Sequence, residues 1–381
     1  MKLRDLFSKL ARYGAWAGCY LLPVQKDKVV VSNFYGRGYA DNPKAIVNEL
    51  LQRDRKLRII WLLKEGAEND LPPGVEVCPA GSAKAVYHLT TARVWIDDCR
   101  KGAWYKKKRQ LYIQTWHGFA LKRIEKDALQ GLRPQDEAYG IRDSAQIDLL
   151  LSGSSTMTDI FRRCFWYDGE IALFGSPRND ALFHPAQGTE EKVRNTLHIP
   201  AGKRMVLYAP TFRVDRSMDV YDVDFARLRK ACEARFGGEW VAVLRLHPAM
   251  ESMAEKLTAD GITVFNATRY SDLQELLCVA DAVVTDYSSL MFDYSLTGKP
   301  CFMYVPDLEA YKLDRNFYLE LSTVPYPQAE NNDALEQAIR GFDAELYERK
   351  LHDFYRTHGF REDGQASRRT VDWLLQKLDE E

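Results

Sequence analysis

Residues 283–294 read VVTDYSSLMFDY, and the fold turns on them. Ala282 to Thr285 form a short apolar run behind Asp281, which predicts a buried strand. Asp286 and Tyr287 break the run. SSLMFDYSLTG then carries apolar residues at helical spacing and stops at Gly298. Strand, tight turn and helix start in this order present hydroxyls and backbone N–H groups where an anion is favoured. An ordinary helix capped by Asp or Ser fits the same letters.

The pattern recurs on both sides. Lys28–Phe34, Leu57–Leu63, Val75–Cys78, Ala92–Asp97, Leu111–Thr115, Ile147–Leu151 and Ile171–Phe174 read as strands. Met205–Ala209, Trp240–Leu246 and Pro300–Val305 form a second series with Ala282–Thr285. Helical patterns alternate with them, so the fold class is α/β: two doubly wound, Rossmann-like domains with parallel sheets covered on both faces. Pro185, Gly188, Pro200 and Gly202 place a boundary near residues 183–187. The expected domains are residues 26–183 and 184–360, with a C-terminal helix over 361–381. Open parallel sheets bind ligands at their carboxyl edge, and two such edges facing each other make a cleft.

Of 381 residues, 46% are apolar and 28% charged, which describes an ordinary globular chain with a sizeable core. The net charge of −1 hides an asymmetry: residues 1–180 hold 29 Lys and Arg against 21 Asp and Glu, the remainder 24 against 33. A basic first half suits an anionic lipid surface or substrate, or is one solvated face of two. The seven cysteines are scattered without a C-x-x-C, which fits a reducing compartment rather than a disulfide framework. Cys and His show no metal-ligand spacing, and neither a dinucleotide fingerprint nor a P-loop occurs. No metal, no cofactor and no nucleic-acid partner is expected.

Near the start, Leu3, Leu6, Phe7, Leu10, Gly14, Ala17 and Leu21 share one helical face, with Lys2, Arg4, Lys9 and Arg12 elsewhere. The apolar run Ala15–Leu22 falls short of the roughly 20 residues that span a bilayer. Residues 1–25 therefore read as an amphipathic helix at a membrane interface, or as a helix packed on its own domain.

Several polar residues sit just past strands. His117 follows LYIQTW and precedes Gly118, which permits close approach of a substrate; it fits a general base or a structural imidazole. His247 ends LRLH before Pro248 and fits a donor to phosphate, with Arg245 on the same strand face. Thr211 and Arg213 follow YAP, and arginine suits bidentate phosphate contact. Gly153-Ser154-Ser155 and Gly175-Ser176 are small-residue turns suited to phosphate or backbone approach.

Taken in order, QTWHG (114–118), LSGSS (151–155), GSPRND (175–180), YAPTFR (208–213), RLHP (245–248) and TDYSSLMFDY (285–294) resemble the CDP-glycerol glycerophosphotransferase family. DNPK (41–44) and GKPCFMYVPDLEAY (298–311) extend the resemblance over roughly residues 28–320. Phe119-Ala120 stands where the family more often has Thr-Pro, and the long extra segment common in polymerising members is missing, which favours a priming or single-transfer enzyme. The resemblance implies a GT-B-like fold, a CDP-glycerol or CDP-ribitol donor and a prenyl-diphosphate-linked or polymer acceptor. It implies transfer of a polyol phosphate, with release of CMP, in teichoic acid or capsule synthesis; the amphipathic start and the basic first half suggest the cytoplasmic face of the membrane as the place. His117 would be the base, and His247, Ser288 and Ser289 would hold the donor phosphates beside Asp286. Asp293 would reach the nucleoside. A sugar-nucleotide GT-B glycosyltransferase or epimerase, or a non-catalytic nucleotide-binding subunit, shares the same architecture.

The amphipathic pattern has a direct consequence. Deleting residues 1–22 is expected to weaken sedimentation with anionic liposomes, and added salt to weaken it further, at about 1 kcal/mol for each basic residue lost from the surface. Equal sedimentation of the full and shortened chains at low salt removes the anchor.

Overall fold

The computed structural model describes residues 14, 16–67, 70–101, 105–128, 132–213, 219–247, 250–257 and 264–380. Most of the amphipathic segment expected over residues 1–22 lies outside them; residues 16–20 are helical, and Tyr20, Leu21 and Leu22 are exposed. Among the described residues no helix is long and apolar enough to cross a membrane.

The chain folds as two compact units. The first holds β1 (Gln25–Ser32), β2 (Arg58–Leu63), β3 (Val75–Pro79), β4 (Ala92–Asp97), β5 (Leu111–Gln114), β6 (Leu149–Ser152) and β7 (Glu170–Leu173). They make one sheet in the order β3-β2-β1-β4-β5-β6-β7, every pairing parallel. Apolar runs become strands here because both faces are covered: every residue of β4 is buried. Val29, Ile59, Trp61, Val94 and Ile113 share one core with Val371 and Leu374 of the helix Ala366–Asp379.

The second unit holds β8 (Arg204–Tyr208), β9 (Trp240–Leu244), β10 (Val264–Asn266), β11 (Ala282–Thr285), β12 (Cys301–Tyr304) and β13 (Gln328–Ala329). Their order is β10-β9-β8-β11-β12-β13, again all parallel. The opening stretch behaves as its letters require. β11 leads into the helix Leu290–Tyr294, which tightens over Ser295–Thr297 and ends at Gly298 with φ 69°. β10 and β13, of three and two residues, have no counterpart in the sequence periodicity. Runs so short carry no period; they form because β9 and β12 offer unpaired edges.

The units divide the chain differently from the expected bounds: the boundary falls after Asp180 rather than after residue 183, and two further segments group differently. Residues 361–381 belong to the first unit, and residues 118–130 to the second. The C-terminal helix is tied there by its apolar face and by Asp180, whose carboxylate accepts from Ala366 N (2.9 Å) and Ser367 N (2.7 Å) at the helix start. The segment after His117 joins the second unit through Phe119, 6% exposed, which stacks on Phe360 at 5.2 Å and packs on Phe292 at 4.6 Å. Leu121 O accepts from Tyr318 N at 2.8 Å, and Lys122 bridges Phe317.

One buried group couples the first unit to pH. His88, 1% exposed on the helix Ala83–Thr91, has no hydrogen-bond partner on either ring nitrogen among the described residues. Burial, and then the nearby Lys28 ammonium, lower its pKa to about 4. Lys28 is itself buried, donating to Thr91 Oγ1 at 2.8 Å. Because the folded value lies below the unfolded one, the unfolded chain takes up the proton first as pH falls. The stability that neutral His88 supports is complete above the ordinary histidine value and is lost as pH falls towards 4, at about 1.4 kcal/mol per pH unit. His88→Leu should remove that slope, since neither nitrogen loses a bond. Melting scans between pH 7 and 5 check this; parallel declines in the two proteins would count against it.

Candidate active site

In a doubly wound sheet the strand order reverses beside the first strand, and the carboxyl ends there open a ligand site. In the first unit the reversal falls between β1 and β4, with β5 next in the sheet. β5 runs into Thr115, Trp116 and His117. Trp116 adopts a left-handed φ of 52° and Gly118 a φ of 115°, a conformation that a side chain at the second position would strain. The imidazole of His117 is half-buried, stacked on Trp116 (4.1 Å, 27°) and 5.5 Å from the Phe34 ring. Its Nδ1 lies 3.0 Å from the carbonyl oxygen of Asp98. A carbonyl only accepts, so Nδ1 carries the proton and Nε2 keeps its lone pair. Burial is the main cause that lowers the His117 pKa; Arg178 lowers it too, while the Asp98 carbonyl and Asp41 pull the other way. The ring is therefore neutral at neutral pH, the state a general base needs.

Around it lie residues that the sequence reading did not single out. The Asp98 side chain is fully buried, and burial with the neighbouring Asp41 and Asp97 carboxyls raises its pKa well above the carboxylate range. Its Oδ1 accepts from Phe34 N at 2.8 Å, and its Oδ2 has no partner among the described residues. Asp41 pairs with Arg178 at 2.8 Å. The visible signal was polar letters past central strands: Asp97-Asp98 at the end of β4, and DNPK opening the helix after β1. Asp97, Asp98 and Cys99 bring three ligand-type atoms together, but Lys101 already pairs with Asp97 at 2.5 Å, and burial favours the protonated forms of Asp98 and Cys99. That chemistry does not suit a cation.

Ser154, expected at the substrate, serves the helix that follows it. It is fully buried, and its hydroxyl accepts from Met157 N at 3.1 Å, capping the helix Ser155–Cys164. The small-residue turns close on the chain itself. A Cβ on Gly153 would stand 2.6 Å from Glu362 Oε1, and one on Gly175 2.6 Å from Arg361 O. Both Glu362 oxygens accept from Ser176 N at 3.1 Å.

In the second unit the reversal falls between β8 and β11, with β9 on the other side of β8. Arg245 N donates to Tyr208 O at 2.9 Å, and Thr285 Oγ1 to Ala209 O at 2.7 Å, so the three strand ends are tied together. His247 is exposed and lies 5.1 Å from the Phe212 ring. Ser288 and Ser289 are half-buried ahead of the helix start. Thr211 Oγ1 is buried without a partner among the described residues. The Arg245 guanidinium rests on the carbonyls of Tyr270 and Ala267; burial lowers its pKa to about 10, against the pull of Asp272. Asp293 is buried, with Gln274 Nε2 3.5 Å from its Oδ2.

Arg213 and Asp286, expected at the substrate, are engaged with the protein's own groups. Arg213 is 7% exposed and donates to Asp307 (2.7 and 3.1 Å), Asp286 (2.9 Å) and Thr211 O (2.7 Å). Tyr287 and Tyr311 cover its guanidinium at 5.1 and 4.7 Å. Asp286 accepts in addition from Thr211 N (2.8 Å) and Tyr287 N (2.6 Å). Burial would raise Asp307, yet Arg213 holds it below its ordinary value. Asp307 was missed because it lies 94 residues from its partner. These three residues lock the turns after β8 and β11 together and leave Thr211, His247, Ser288 and Ser289 along the edge.

Residues 17–376 match the model of the CDP-glycerol:poly(glycerophosphate) glycerophosphotransferase family. The chain belongs to that family. It is 31% identical over 389 residues to the teichoic acid glycerol-phosphate transferase of Staphylococcus aureus, covering 96% of this chain and 98% of that one. It is 30% identical to the teichoic acid poly(glycerol phosphate) polymerase of Staphylococcus epidermidis, covering 94% of this chain and 52% of the polymerase, so it spans about half that relative's length. Among solved structures, this glycerophosphotransferase-family chain superposes on a variant of the wall teichoic acid polymerase TagF soaked with CDPG, with TM-score 0.85, 27% identity and coverage of 100% and 99%.

The Arg213 lock sets an expectation opposite to that for an open phosphate contact. Arg213→Ala leaves two largely buried carboxylates uncompensated and should cost about 3–5 kcal/mol of stability. Denaturant unfolding reads this directly; an unchanged midpoint would return Arg213 to the open edge.

Proposed function

We propose that the chain transfers glycerol phosphate from CDP-glycerol to a hydroxyl of a prenyl-diphosphate-linked or polymer acceptor, releasing CMP. Membership of the family supports the donor class. The observation that carries the chemistry is the neutral His117 imidazole, its Nδ1–H given to the Asp98 carbonyl at 3.0 Å and its Nε2 left to take a proton. The acceptor O–H loses its proton to Nε2 as its oxygen attacks the glycerol-side phosphorus. The new O–P bond forms as the bond to the CMP phosphate breaks, and CMP leaves with that electron pair.

The second unit carries the donor. His247, Thr211, Ser288 and Ser289 meet the diphosphate, with Arg245 behind them and Asp293 towards the nucleoside. Gly118 lets the acceptor approach the backbone beside the base. Positioned donors dominate such a reaction, because phosphoryl transfer leaves the protein little covalent work. No cofactor or metal takes part in this reading. The first unit handles the acceptor, and residues 1–25 with the basic first half hold the protein against the anionic cytoplasmic leaflet.

Purified protein mixed with CDP-glycerol or CDP-ribitol and a prenyl-diphosphate acceptor, with CMP release and product mass recorded, tests the reading. His117→Ala should cut turnover about 10²–10⁴-fold with donor affinity near wild type. His247→Ala should weaken donor binding as well as rate, because a phosphate contact exists in the ground state. The ascending limb of the wild-type pH profile should lie below the ordinary histidine value, as burial lowers His117. Transfer from UDP-sugars alone, or normal turnover in both variants, overturns the proposal.

A further inference from the structure

We infer that Asn42 is the positioning residue of the His117 base, its side-chain amide joining the turn after β5 to the turn after β7; the inference rests on the proposed role of His117. Asn42 is 1% exposed at the start of the helix Asp41–Leu51, where no solvent-facing task is open to it. Its Nδ2 donates to Trp116 O at 2.9 Å and to Thr115 O at 3.4 Å. Its Oδ1 accepts from Arg178 N at 3.0 Å. The Trp116 carbonyl belongs to the same peptide plane as the His117 nitrogen, so the bond to Asn42 sets the plane from which the imidazole departs. Trp116 holds φ at 52°, a conformation that persists only where the surroundings impose it.

The chemistry asks for this residue type. Two carbonyls face one end of the side chain and an N–H faces the other, so the group needs donors and an acceptor at a short reach. Aspartate has the shape but no donor in its charged form, and leucine has neither. The neighbouring residue completes the hold: Asp41, itself at φ 62°, pairs with the Arg178 guanidinium whose backbone Asn42 grips. Asn42 touches neither the imidazole nor a reacting atom, so its effect on rate passes through the backbone of Trp116.

A double-mutant cycle on the full chain tests this: wild type, Asn42→Asp, His117→Ala and the double variant, each assayed for CMP release, CDP-glycerol affinity and melting. Asn42→Asp should lower kcat by about 10²-fold, the scale of a misplaced reacting group, with CDP-glycerol affinity within about twofold of wild type. Its ascending pH limb should move up towards the ordinary histidine value as the ring leaves its buried seat. In the His117→Ala background the same substitution should change residual turnover by less than about twofold, because no base remains to position. An equal loss in both backgrounds overturns the inference while leaving the base assignment standing. Wild-type turnover in His117→Ala overturns the base assignment itself, a different result. If Asn42→Asp and the milder Asn42→Ser both lose their melting transition, Asn42 holds the sheet rather than the ring, and the inference falls.

Discussion

Parallel pairing constrains everything else in this chain. A strand cannot reach a parallel neighbour through a tight hairpin; it must cross back over the sheet, usually through a helix. Every pairing in both sheets is parallel. All strands of a sheet therefore end on one edge, and the turns that follow collect there whatever their separation along the chain. The order reverses beside β1 in one unit and beside β8 in the other. At those reversals the crossovers diverge to opposite faces, and the carboxyl ends stay uncovered. His117, His247, Thr211 and the two serines stand where they do for that reason.

An uncovered edge must still be held in shape, and the polar residues there divide by task. Arg213, Asp286 and Asp307 saturate one another, and Glu362 saturates the amide of Ser176. Others keep unused capacity: Nε2 of His117, the Thr211 hydroxyl and the hydroxyls ahead of the short helix. The first group makes the second possible. Phe34, Tyr35, Asp41 and Trp116 all adopt left-handed backbones in the first unit, each costing about 1–3 kcal/mol that the surroundings must offset. The bonds of Asp98 to Phe34 N and of Asn42 to Trp116 O act at these positions.

How much of this was legible follows from the range of the forces involved. Strands such as ARVWID and RIIWLL announce themselves because burial on both faces demands an unbroken apolar run. The turn TDYSS, the stop at Gly298 and the histidines past β5 and β9 are local facts of the same kind. The roles of Arg213 and Ser154 were not local. An arginine past a strand and a serine in a small-residue turn fit a phosphate equally well until their partners are known, and the Arg213 partner Asp307 is 94 residues away. Asn42 was visible only as part of DNPK, since its three hydrogen bonds reach residues 73 to 136 positions off.

By itself the sequence determined the class of fold, the two series of strands, the strand-end histidines and the family, because periodicity, breakers and motif order act over a few residues. Only the tertiary structure decided which polar residues along the edge bond one another. It alone returned the C-terminal helix to the first unit and residues 118–130 to the second. The physical reason is that a hydrogen bond or ion pair is settled by where its partner lies in space, and in a parallel sheet that partner is seldom near in sequence.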